Sequence, residues 1–112
     1  MQRSPKIILI NKIVRFNHAW KASKDMFGDK SNISQALRDQ KACLQAELLR
    51  DHEGVYLVLD METESEEPLY SIKLLQEVKL QGAYFKDDAE HIPVRVADKL
   101  FTAQELIKLI KR

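Results

Sequence analysis

The sequence predicts an α+β fold, with a mostly antiparallel sheet of four to five strands and about three helices. Three stretches carry that expectation. Val55-Tyr56-Leu57-Val58-Leu59 is an uncharged, β-favouring run bounded by Asp51–Gly54 and by an acidic tract. Tyr70, Ile72, Leu74, Val78 and Leu80 fall on even positions, with Lys73, Glu77 and Lys79 on odd ones, which is the period of a strand. Thr102-Ala103-Gln104-Glu105 matches a capping box, so the C-terminal helix is capped at Thr102.

Taken in order, Pro5 closes a short arm, and the β-branched run from Ile7 to Val14 reads as a strand over residues 6–14. From Arg15 the period changes. Phe16, Trp20, Ser23 and Phe27 stand at i, i+4, i+7 and i+11, an amphipathic helix with that stripe as its buried face. Gly28 is placed to end it. Asp29–Asn32 offers N-caps for a second helix. Ile33, Leu37, Leu44 and Leu48 extend that helix through Arg50, the preferred reading. A shorter helix with a strand at Leu44, Ala46 and Leu48 is the alternative.

Val55–Leu59, apolar on both faces, is expected near the middle of the sheet. Glu62, Glu64 and Glu66 then form an acidic loop or solvated strand end, closed by Pro68. The Tyr70–Leu80 alternation is one bent strand or two, with Gly82 at a bulge or bend. Lys86–Glu90 reads as a turn. His91 to Val96 reads as a strand, with Pro93 putting it at an edge. In the last helix Phe101 and Leu106 stand where a hydrophobic staple forms, and Leu106, Ile107, Leu109 and Ile110 supply the buried stripe.

Composition bounds the rest. At 112 residues, 45% of them hydrophobic, the chain suits one domain, residues 1–112, able to bury a core without staples. A net charge of +1 gives no global field for nucleic acid or anionic membrane. Charge is nonetheless segregated: residues 1–30 carry seven basic and two acidic side chains, residues 39–70 two basic and nine acidic. The lone Cys43 excludes an internal disulfide and is expected as an inert core thiol. The apolar run Ile7–Ile10 is too short for a secretory or membrane segment, so the expected location is cytoplasmic, with no membrane partner.

Catalytic motifs are missing. Three glycines cannot build a phosphate loop, and there is no Cys-x-x-Cys, His-Glu-x-x-His or Gly-x-Ser-x-Gly. His52 and His91 lie beside acids in expected loops and could join a metal only if those loops met; the preferred reading is two solvated turns, with no metal and no cofactor. The expectation is therefore a non-catalytic binding or interaction module, self-associating as a homodimer through its edge strand. The alternative is nucleic-acid binding by a basic, aromatic N-terminal helix. There Arg15, His18, Lys21 and Lys24 would meet phosphates and Trp20 would stack on a base.

Overall fold

The computed structural model describes residues 4–61, 65, 67–80, 82 and 84–111. Two long helices, α1 (Lys6–Phe27) and α2 (Asn32–Asp51), precede three strands, β1 (Val55–Asp60), β2 (Leu69–Lys79) and β3 (Phe85–Pro93). Two short helices follow, α3 (Val94–Leu100) and α4 (Ala103–Leu109). The α+β class therefore stands, with three antiparallel strands and four helices among the described residues in place of four to five and about three.

Residues 6–14 are the first turns of α1 and not a strand. Leu9, Ile10, Ile13 and Val14 recur at i, i+1, i+4 and i+5, and all are buried. No Pro or Gly separates them from the helix beyond Arg15, so continuing it costs only the small propensity deficit of β-branched residues, which packing overrides. The buried face of α1 accordingly differs from the expected stripe. Phe27 is 58% exposed, while Phe16 and Trp20 are half-buried.

At the hairpin between the helices, Gly28 takes φ +89, a conformation that side chains resist, and donates its N–H to Lys24 O at 2.9 Å. Ser31 caps α2 by accepting from Ser34 N at 3.2 Å. The helices run antiparallel, and three polar contacts mark their register: Ser23 with Ser34, Lys41 with Asn17, and Lys6 Nζ with Glu53 O. The continuous α2 excludes the alternative strand at 44–48. Cys43 points away from its buried face and is exposed, against the expected core thiol.

In the sheet, order β1-β2-β3, the run Val55–Leu59 lies on an outer strand and β2 is central. Val55 and Leu57 are buried, but Leu59 is 46% exposed. The outer edge of β1 is occupied by the C-terminal segment, where Leu57 bridges Ile110 in parallel and Lys111 N donates to Leu57 O at 2.9 Å. Leu57, Ile72 and Ile92 share one face of the sheet and join Leu9, Ile10, Ile13 and Leu48 in the core, each fully buried. Each such side chain stabilises the fold by roughly 1.5–3 kcal/mol relative to exposure.

Residues 86–90, expected as a turn, lie within β3, and the strand stops at Pro93 because Val94 begins α3. Pro93 does stand on an edge strand, opposite Leu69. Gly82 lies in the turn joining β2 to β3, with φ +90. β2 is one strand, and its pairing with β3 is irregular between Lys73 and Val78, where the register shifts. The capping box of α4 is formed, with Glu105 N to Thr102 Oγ1 at 3.1 Å and Thr102 N to Glu105 Oε1 at 2.9 Å. Of its expected stripe, Ile107 is 76% exposed, while Leu106, Leu109 and Ile110 pack against the core. Glu62, Glu64 and Glu66 lie outside the described residues.

Candidate ligand-binding groove

Two adjoining helical stripes line a groove of about 1070 Å³. From α1 come Asn17, Trp20, Lys21 and Lys24, at i, i+3, i+4 and i+7; from α2 come Arg38, Lys41, Ala42 and Gln45, with the same spacing. That periodicity puts each set on one helical face. Glu90 and His91 of β3, Arg95 of α3 and the acidic Asp29, Asp39 and Glu67 also line it. The volume lies at the upper end of the range of small-ligand sites, roughly 300–1,000 Å³.

Cations gather on one indole. Lys24 Nζ lies 4.8 Å from the centroid of the Trp20 ring, Lys41 Nζ 4.9 Å and the Arg38 guanidinium carbon 5.7 Å. The negative face of the ring offsets part of their mutual repulsion, by about 0.5–2 kcal/mol per contact. Arg38 and Arg95 share the carboxylate of Glu67, at 2.5 and 3.1 Å. Hydrogen bonding by Arg95, reinforced by Arg38, outweighs partial burial and holds that carboxyl below its usual range.

Lys41 lies at the centre and is 6% exposed. Its Nζ donates to Asn17 Oδ1 at 2.8 Å, and Asn17 Nδ2 donates to Glu90 Oε2 at 2.6 Å. Glu90 Oε1 in turn meets Lys86 Nζ at 2.7 Å. Burial lowers the Lys41 pKa to about 8; Glu90 works against that fall, while Arg38 and Lys21 add to it. Burial also opposes the charges on Lys86 and Asp88. Their hydrogen bonds with neighbours prevail, leaving Lys86 raised and Asp88 lowered.

Glu90 reaches this network through a backbone irregularity. Between the pairs Ser71↔His91 and Lys73↔Asp88, β3 contains one residue more than β2. This bulge leaves Glu90 at φ +67, the sole non-glycine residue with positive φ among the described residues. Such a conformation costs a non-glycine residue about 1–2 kcal/mol, and bulges of this kind re-aim side chains. Gln45, fully buried, clamps the bulge from α2 by donating Nε2 to Ala89 O at 2.9 Å and His91 O at 3.1 Å. Trp20 Nε1 and Gln45 Oε1 are buried with no hydrogen-bond partner among the described residues.

Of the five binding residues read from the sequence, Trp20, Lys21 and Lys24 line the groove; Arg15 and His18 are exposed on α1 and do not. Asn17, which belongs to the same polar helix face in the sequence, also lines the groove, whereas Arg38, Lys41, Gln45 and Glu90 were missed. Lys41 and Gln45 had left a signal, as polar residues among the apolar positions Leu37, Leu44 and Leu48 of α2. The histidines stay apart. His52 Nε2 lies 2.8 Å from Ser4 O beside the start of β1, whereas His91 Nε2 pairs with Asp60 Oδ2 at 2.9 Å at its other end. Among the described residues no three His, Cys, Asp or Glu side chains gather where a metal could be held, and no helix is long and apolar enough to cross a membrane. Comparison of the chain with protein-family models, with curated proteins and with solved structures gives no match.

Proposed function

We propose that the protein is a non-catalytic binding module that holds a small anionic ligand in the groove between α1, α2 and β3. The observation that carries this reading is the convergence of Lys24, Arg38 and Lys41 on the Trp20 ring at 4.8–5.7 Å. Three cations brought this close repel one another, and an anion entering the groove relieves that repulsion. An aromatic wall adds contact area without conformational cost.

A nucleic-acid strand suits the same surface less well. Asp29, Asp39, Glu67 and Glu90 also line the groove and would face successive phosphates, and Arg15 and His18 lie elsewhere. Self-association through the sheet edge is disfavoured by the edge itself. β3 carries Pro93, the bulge at Glu90 and the charges of Lys86 and Asp88, which are devices that keep a strand from pairing.

Trp20 is the only tryptophan, so indole emission reports on the groove alone. Titration with oxalate or pyrophosphate is expected to give a saturable change in that emission, weakened about fivefold or more by Lys21→Ala combined with Lys24→Ala. A response to single-stranded oligonucleotide but to neither small anion would replace this reading with nucleic-acid binding. A flat signal with every anion would end it.

A further inference from the structure

We propose that Lys41 is a point of reversible covalent attachment for an anionic carbonyl compound, an α-oxo acid, seated in the groove. This rests on the groove being an anion site, and it names the ligand class. Of the chain's twelve lysines, Lys41 is the one that is buried. Its amine is held at a fixed place on the groove wall by Asn17 Oδ1 at 2.8 Å, 4.9 Å from the centroid of the Trp20 ring. A lysine amine becomes a nucleophile when it is desolvated or set beside other cations, and both conditions hold here. Arg38 and Lys24 approach the same ring, and Lys21 lines the same wall. Glu90, the acidic group linked to this amine through Asn17, keeps part of the Lys41 population protonated.

The step balances without an oxidant or reductant. The lone pair of neutral Lys41 Nζ adds to the carbonyl carbon, and the carbonyl π pair moves to oxygen. One proton passes from nitrogen to that oxygen, giving a carbinolamine. A second proton, from solvent, lets the oxygen leave as water, and the product is a protonated imine. The carboxylate of the α-oxo acid is met by Lys21 and Lys24, both exposed along the rim. The resulting iminium retains the positive charge that the site already holds.

With a pKa of about 8, Lys41 has about two hundred times the neutral population of an ordinary lysine at pH 7.5. The lower basicity also weakens the amine as a nucleophile, so the net advantage expected is about tenfold. The wild-type chain is incubated with glyoxylate and cyanoborohydride at pH 7.5, and the rate of carboxymethylation at each lysine is read by peptide mass spectrometry. Lys41 is expected to react at least about tenfold faster than the mean of the other eleven, an advantage that shrinks with uncharged propionaldehyde. Modification of Lys41 no faster than the exposed lysines overturns the inference. Equal selectivity with both aldehydes overturns the anionic part of it. A saturable Trp20 response to oxalate without a Lys41 adduct leaves the binding groove standing and removes only the covalent step. If neither response occurs, both fall.

Discussion

Lys41 Nζ and Asn17 Oδ1 lie 2.8 Å apart between the two long helices, and through the Asn17 amide the lysine is linked to Glu90 at 2.6 Å. A cation this well buried meets its carboxylate through a neutral intermediary and not in a direct pair. The arrangement gives the amine a hydrogen bond to a neutral oxygen and leaves its charge only partly compensated. A groove wall built this way is poised for an added negative charge.

Removing Lys41 tests that cost. Because its folded pKa is depressed to about 8 from 10.5, the unfolded chain binds the extra proton between those values, and stability rises with pH across that window. Below pH 8 the cost is fully present; above 10.5 it is gone. Relative to Lys41→Met, the wild type is expected to gain on the order of 3 kcal/mol between pH 8 and 10.5 in urea unfolding. A constant difference across that range would show that Lys41 titrates normally.

Glu90→Gln removes the acidic group that, among the described residues, raises the Lys41 pKa. The Lys41 midpoint, followed by NMR of its Cε, is expected to move below about 8, while the bulge and the positive φ remain. An upward shift would mean that Glu90 does not act on Lys41 by charge.

Gln45→Leu keeps the volume but strips Ala89 O and His91 O of their side-chain donor. Removing a donor from buried carbonyls costs about 1–3 kcal/mol, so chemical denaturation is expected to show a loss of that size. The bulge itself is expected to loosen, read as faster amide exchange at Glu90 and His91 than at Ile72. An unchanged unfolding midpoint would remove Gln45 from the support of the groove.

Thr102→Ala deletes the hydroxyl that accepts from Glu105 N at 3.1 Å. It is expected to lower stability by about 1 kcal/mol in the same assay. Were the melting curve to stay put, the capping box would be ornament.

Acid should find Glu105. The Arg50 guanidinium beside it, with the Thr102 N–H, holds its carboxyl down at about 2 from an ordinary 4.5. Its stabilising contribution is therefore complete above pH 4.5 and is lost as pH falls toward about 2. Arg50 also donates to Leu100 O, so Arg50→Ala is expected to detach α4 from α2 and flatten this part of the acid limb. Identical acid profiles for the two proteins would exclude the contact.

What was legible in the sequence was whatever neighbouring residues decide among themselves. Thr102 and Glu105 cap a helix because they stand three residues apart, Tyr70 to Leu74 alternate because a strand has period two, and Pro93 marks an edge because it lacks an N–H. The helix over Ile33–Leu48 followed from one apolar stripe. Ile7–Val14 misled because β-branched residues favour strands only weakly, and the choice was made by the core that receives Leu9, Ile10 and Ile13. The outer position of β1 was equally hidden, since it depends on Ile110 and Lys111 returning to cover its edge from more than fifty residues away. The groove was legible only in part. Trp20, Lys21 and Lys24 stand out as one basic, aromatic helix face, but packing α1 on α2 and bulging β3 are what bring Lys41, Arg38 and Glu90 to it. Coulombic and desolvation energies depend on distance and burial, and those are set only when the chain has folded.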